Sequence, residues 1–350
     1  MLPVGPPLAP MLARLERELP RGNYLYEPKW DGFRCLAFRD GDEVDLRSRH
    51  DRPLARYFPE VVEALRALPE PRLVLDGELV ARRDGALDFP SLLARIHPAA
   101  SRVERLRHEA PGAFVAFDLV AAAGEDLRAR PFAERRRRLE ELLRAARPPL
   151  HLTPVTDDPE LAGRWLERFA GGGVDGVVAK HRELAYLAGE RRMVKVKTER
   201  TVDCVVAGFR LALDRPAVAS LLLGLYDEGG ALHHVGVVGS LREDVRRELA
   251  AELERLAVPL EEHPWAQGYL VGGGATGRLA GSAGRWTPDM PLDWVPLAPE
   301  RVCEVAYDQV DGHRFRHPAR LVRWRPDRDA RSCRLEQLDL PQAENARLLA

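Results

Sequence analysis

Tyr26-Glu27-Pro28-Lys29-Trp30-Asp31-Gly32-Phe33-Arg34 is the stretch whose reading decides the fold. At its centre stands Lys29. Of 53 lysines and arginines in the chain only four are lysine: Lys29, Lys180, Lys195 and Lys197. A chain so biased has placed arginine nearly everywhere that any cation serves. The lysines that remain mark places where arginine fails. Arginine stays protonated in a protein and cannot act as a nucleophile, whereas lysine can once its pKa is lowered. Chance survival of surface lysines fits poorly, because all four lie in or beside apolar, strand-like runs.

Working outward, residues 25–29, 33–39 and 43–48 read as short strands broken at Asp31-Gly32 and Asp40-Gly41-Asp42, since Asp-Gly pairs are turn signals. Lys29 then sits at a strand end beside a tight turn, held by its backbone with its side chain presented. Residues 72–81 form a strand with Asp76 and Glu78 on one face, because strand side chains alternate. Further strands are expected at 114–120, 151–155, 177–180 and 193–198. Helices are expected at 58–68, 89–96, 131–146 and 158–170, with a short helical pattern around 11–19. The run Arg135–Arg138 reads as a solvated helix face in preference to a DNA contact. These elements compose an α+β domain of mostly antiparallel sheets.

After residue 200 the pattern changes. Strands at 202–210, 220–227 and 232–239, a helix at 241–256, then strands at 302–310 and 320–325 follow the order of an OB barrel. A Gly-rich insertion at 272–284 separates the helix from the fourth strand, and loops of that length are usually functional or disordered. Length alone favours two domains, drawn here as 1–199 and 200–350. The formal net charge of −1 supplies no global field toward nucleic acid, so phosphate binding must come from local patches. Four scattered cysteines without a C-x-x-C fit a reducing compartment and argue against a zinc finger or disulfide framework. Without a signal-peptide core or a membrane-length apolar run, the expectation is a cytoplasmic protein.

Taken as a set, the motifs identify a family. Lys29-Trp30-Asp31-Gly32-Phe33-Arg34 resembles the K-x-D-G-x-R signature of covalent nucleotidyltransferases. In order there follow Ser48-Arg49, the acidic Leu75-Asp76-Gly77-Glu78, the aromatic Ala116-Phe117-Asp118, Asp175-Gly176-Val177-Val178-Ala179-Lys180 and Val194-Lys195-Val196-Lys197. Arg320-Leu321-Val322-Arg323-Trp324-Arg325-Pro326-Asp327-Arg328 is similar to the last motif of DNA ligases. The resemblance covers about residues 4–340 and is to the ATP-dependent DNA ligases, in particular the small two-domain bacterial C-type enzymes.

That resemblance implies a nucleotidyltransferase (adenylation) domain, a C-terminal OB-fold, ATP as AMP donor and Mg²⁺, or Mn²⁺ in its place. It implies that Lys29 attacks the α-phosphorus of ATP. Free lysine titrates near about 10.4, and cations beside an amine nucleophile lower that value. Lys195 and Lys197, on one face of one strand, suit this and would hold the α-phosphate. Glu78 and Asp175 are the metal ligands implied. Phe117 offers its face to adenine. Arg34 and Arg49 grip phosphate or ribose, with Arg49 clamping the 5′-phosphate of a nick. Arg325, Asp327 and Arg328 orient pyrophosphate, and a hinge falls near 198–202. Glu27 either contacts adenine through its backbone or carries surface charge, and Lys180 touches phosphate or adenine or packs structurally. Asp31 braces the turn and Asp118 orients neighbouring strands. The family usually has Glu where this chain has Asp175, one methylene shorter, which puts direct metal ligation in doubt.

The implied partners are nicked double-stranded DNA and DNA-repair proteins, met by a monomer that grips DNA with two domains alone. Two rivals stand beside this reading: an RNA ligase or capping-type nucleotidyltransferase, and a non-catalytic OB-type nucleic-acid-binding protein. Gly171-x-Gly173-x-x-Gly176 and Gly272-x-Gly274-x-x-Gly277 match a dinucleotide fingerprint only formally, and His233-His234 reads as barrel packing, because adjacent strand residues face opposite ways.

Overall fold

The chain after Lys29 does not turn back on itself. In the computed structural model the strand Tyr24–Trp30 belongs to one sheet and Phe33–Asp40 to another. Asp31-Gly32 is therefore a crossover between sheets, not a hairpin. Glycine is needed there because a Cβ on Gly32 would lie 2.1 Å from the Leu79 carbonyl oxygen. The next break behaves as expected: Asp40 pairs with Glu43 across a tight hairpin, with Gly41 at φ 66. The structure describes residues 1–83, 86–97, 99–168, 173–212, 217–239, 241–266, 269–271, 274–276 and 294–338. They fall into two compact units, Met1–Thr198 and Glu199–Pro341.

In the first unit a four-stranded sheet runs Leu12–Glu16, Arg191–Val196, Val174–His181, Tyr24–Trp30. A seven-stranded sheet is built on Glu43–Ser48, Phe33–Asp40, Arg72–Arg83 and Gly112–Ala122. Tyr26, Trp30 and Val177 of the smaller sheet share a core with Val80 and Val115 of the larger. Helices Pro59–Arg66 and Phe132–Leu143 bury Val61, Leu65, Leu139 and Leu143 in a second core, with Leu73, Leu75 and Phe114.

Two local expectations fail and a third holds in part. Residues 11–19 hold no helix; Leu12–Glu16 is a strand parallel to Arg191–Val196. An isolated helix of that length is marginal in water, whereas a sheet edge supplies partners at once. Helix Ala100–Glu109 was not foreseen, because in a charged segment it buries only Val103 and Leu106. The Arg135–Arg138 run is solvated on only part of its circumference. At about 100° per residue, Arg135 and Arg136 turn inward while Arg137 is 63% exposed and pairs with Glu141.

Arg135 is wholly buried and bonds both oxygens of Asp118, at 2.8 and 3.0 Å, from its Nε and Nη2. Burial alone would raise the Asp118 carboxyl; the Arg135 guanidinium outweighs it and holds the pKa below the ordinary value. A depressed carboxylate contributes stability at neutral pH that is lost as pH falls through its folded pKa. Removing one partner of such a pair strands a buried charge. Asp118→Ala should therefore cost about 3–5 kcal/mol, read as a lower urea midpoint; an unchanged midpoint would show that the pair is dispensable.

The second unit is an OB-fold. Its path runs Leu232–Val238, Val218–Tyr226, Arg200–Leu211, Val302–Tyr307, Arg320–Trp324, and in chain order helix Glu243–Glu254 falls between Leu232–Val238 and Val302–Tyr307. A parallel bridge between Val238 and Ala319 joins the two ends of that path. The hairpin at Glu228-Gly229-Gly230 forms, with Gly230 at φ 81. The two adjacent histidines are packing residues. His233 bonds Asp227 at 2.6 Å, and buried His234 meets Trp265 edge-on. All four cysteines are free thiols. Most of the 272–284 insertion lies outside the described residues, as do Gly272 and Gly277 of the second glycine fingerprint, while Gly274 begins the short strand Gly274–Thr276. Among the described residues no helix is long and apolar enough to cross a membrane.

Candidate active site

Lys29 is the penultimate residue of its strand, and its position follows from an irregularity in the partner. Trp30 pairs with Val174 and Pro28 with Val177, so Asp175-Gly176 bulges opposite Lys29. Gly176 has φ 154, and a Cβ there would meet the Val196 carbonyl oxygen at 2.2 Å. The bulge aims Asp175 at two lysines. Its Oδ1 lies 2.7 Å from Lys29 Nζ and its Oδ2 3.0 Å from Lys197 Nζ. The carboxylate is 7% exposed, so the pairing is shielded from solvent.

Lys197 lies just past the end of Arg191–Val196, and Lys195 within it. Burial lowers the Lys195 pKa, and the positive charges of Lys29 and Lys197 lower it further. Glu27, Lys29, Arg34, Arg49, Glu78, Phe117, Lys180 and Lys195 all line one cleft, which encloses about 860 Å³ of space including open solvent. Sequence reasoning had named all eight from motifs far apart in the chain.

Several roles change once neighbours are visible. Glu27 carries no surface charge: it is 2% exposed, and Lys180 binds its Oε2 at 2.8 Å. Its Oε1 makes no hydrogen bond among the described residues but lies 3.6 Å from Arg136 Nη1, an ion pair. Burial raises the Glu27 pKa against the pull of Lys180 and Arg136. Lys180 is a buried brace, donating to the Phe117 carbonyl at 2.9 Å with its Nζ 4.8 Å from the Phe117 ring centre. Arg34 had been expected on phosphate or ribose. Its Nε and Nη2 instead bond Asp76 at 2.6 Å each, and its guanidinium lies 4.4 Å from the Phe117 ring centre. Arg49 is exposed at the cleft.

Glu78 faces the same cleft. Burial pushes its carboxyl up to about 8, although Arg34 and Lys29 pull the other way. Among the described residues no group of three or more acids, histidines or cysteines forms a metal cage. Mg²⁺ needs none: it is usually held by one or two carboxylates together with substrate phosphates and water. Glu78 and Asp175 fit that donor set, with both Asp175 oxygens engaged by lysines.

In the second unit, Arg325 donates from Nη1 to both oxygens of Asp203, at 3.1 and 3.0 Å, and from Nε and Nη2 to Asp327. Arg325 draws the Asp327 carboxyl down to about 2. Arg328 Nε is 3.6 Å from Asp203. Asp203 was not anticipated, since a lone acid in a strand carries no motif. Leu12, Ala13, Arg191 and Met193 of the cleft were missed for the same reason.

The chain is similar to known proteins over nearly its whole length. The family described as "ATP dependent DNA ligase domain" matches residues 6–197, and "ATP dependent DNA ligase C terminal region" matches 214–328. DNA ligase C2 of Mycolicibacterium smegmatis is 51% identical over 345 residues, 97% of this chain and 96% of that protein. DNA ligase C of Mycobacterium tuberculosis is 48% identical over the same shares of each chain. A solved Lig E DNA ligase structure aligns with a TM-score of 0.55 at 16% identity, over 90% of this chain and 99% of that one, which bears on the fold alone.

Proposed function

The chain belongs to the ATP-dependent DNA ligase family, the C-type enzymes among them, and we propose that Lys29 is the side chain through which it works. As a ligase it uses ATP and a divalent metal to seal nicked DNA. The reaction has three steps. A lysine amine, having given up a proton, bonds to the α-phosphorus of ATP as the bond to pyrophosphate breaks. AMP passes from that nitrogen to the nick's 5′-phosphate. The 3′-hydroxyl attacks that phosphate, loses its proton and expels AMP.

One observation carries the assignment: Lys29, which lines the cleft, meets Asp175, which also meets Lys197, so three separate motifs converge through contacts of 2.7 and 3.0 Å. Asp175 holds the Lys29 ammonium in place before reaction. Lys195 and Lys197 meet the α-phosphate, where fixed cations stabilise charge that grows in the transition state. Phe117 stacks on adenine. Glu27 contacts adenine through its backbone, its side chain being held by Lys180 and Arg136. Arg49, exposed at the cleft, serves the phosphates, while Arg34 is held by Asp76. Glu78 and Asp175 would hold Mg²⁺, or Mn²⁺, which neutralises phosphate charge when bound. Asp175, shorter than the usual glutamate and already paired, would reach it through water. Arg325, Asp327 and Arg328 orient pyrophosphate. The adenylation domain ends and the OB domain begins near Thr198, where we place the hinge. We place the protein in the cytoplasm, working as a monomer on nicked double-stranded DNA with DNA-repair proteins as partners.

Incubation with labelled ATP or GTP and Mg²⁺, followed by nicked DNA or nicked RNA, tests this. The expected outcome is one adenylate on the protein from ATP, none from GTP, and transfer to DNA. Guanylate uptake would favour the capping-type rival, and DNA binding with no nucleotide uptake the non-catalytic one.

A further inference from the structure

We propose that Tyr186 is a positioning residue for the nucleotide cleft, tying the strand that walls the cleft to the acid–base pair that faces into it. Tyr186 is 3% exposed. Its hydroxyl donates to Asp76 Oδ2 at 2.6 Å and accepts from the Met11 backbone N–H at 3.2 Å. Asp76, fully buried, receives the two bonds from Arg34. Arg34 Nη2 then donates to the Met11 carbonyl at 3.1 Å. Both backbone groups of Met11 are thus fastened to one closed ring of side chains.

The next two residues, Leu12 and Ala13, line the cleft. They begin a five-residue edge strand whose far end, Arg14 to Glu16, is exposed. It pairs in parallel with Arg191–Val196, the strand that supplies Arg191, Met193 and Lys195 to the cleft. A short parallel edge strand gains little from its own ladder, so its placement rests on the buried Met11 anchor. The same ring sets the height of Arg34 over Phe117. Burial, with Asp76 beside it, pushes the Tyr186 phenol well above its usual range, which keeps the hydroxyl a donor at working pH. The ring of Tyr186 also lies against Arg135, 5.8 Å from its guanidinium, so the aromatic body has a packing role that the hydroxyl does not share.

The inference rests on the cleft being the ATP site, and a wild-type protein that acquires no AMP would overturn that reading separately. Tyr186→Phe keeps the ring and removes one oxygen, leaving the Met11 N–H without its acceptor. An unsatisfied buried group costs about 1–3 kcal/mol. The expected result is a KM for ATP in self-adenylation raised about tenfold, with the rate at saturating ATP within about twofold. Amide exchange quickens at residues 11–16 but not in Arg72–Arg83. A role confined to packing would lower the melting temperature and leave KM alone. An unaltered KM, a fall in saturated rate without a KM change, or undisturbed exchange at residues 11–16 would each overturn the proposal.

Discussion

Lys29→Arg is expected to abolish covalent AMP uptake, a loss of at least about a thousandfold, while the protein stays folded. The substitution keeps the positive charge, so the 2.7 Å pairing with Asp175 has a cationic replacement and no buried anion is stranded. The lost property is the ability to become a neutral amine, because a guanidinium stays protonated. Intact-mass measurement after treatment with ATP and Mg²⁺ reads the result directly, and a melting curve shows that the fold persists. The third chemical step needs no lysine nucleophile, so the variant should still seal a nick that already carries AMP. Wild-type-like adenylation of the variant would remove Lys29 from the mechanism, and loss of the third step as well would mean the substitution had damaged the cleft at large.

What the sequence revealed here was chemistry tied to local spacing. Lys29, Glu78, Phe117 and Lys195 lie in different strands, yet each stands in a motif that names its role. The barrel order was legible because strand and helix periods differ. What stayed hidden depended on contacts made at long range. Nothing in the run Arg135–Arg138 says that Arg135 will meet Asp118 in the interior. Glu27 looks the same in sequence whether exposed or buried; only the arrival of Lys180 decides. Arg34 was assigned to substrate by the resemblance of its motif, but Asp76, on the neighbouring strand, claims two of its nitrogens. The strand at Leu12–Glu16 is defined by its partner at Arg191–Val196, far along the chain, and no local period announces such a pairing.

Glu78 should make metal activation steeply dependent on pH. Its carboxyl is raised to about 8, so below that pH the folded protein carries a proton there. Mg²⁺ requires the carboxylate, and binding must expel that proton. Apparent metal affinity should therefore rise about tenfold per pH unit from pH 6 to 8 and level off above. Glu78→Gln has no proton to lose, so the slope should vanish, and adenylation should fall by at least about a hundredfold. Initial adenylation rates against Mg²⁺ concentration, at pH values from 6 to 9, measure both effects. The same raised pKa works against the fold. The folded state holds a proton that the unfolded chain releases near about 4.5, so stability falls as pH rises between that value and 8, by a few kcal/mol at most. Metal binding at the carboxylate offsets this cost, so the melting temperature should climb with Mg²⁺ at pH 8 more than at pH 6. If Glu78→Gln kept the wild-type pH slope in metal affinity, another group would be surrendering the proton, and Glu78 would not be the ligand.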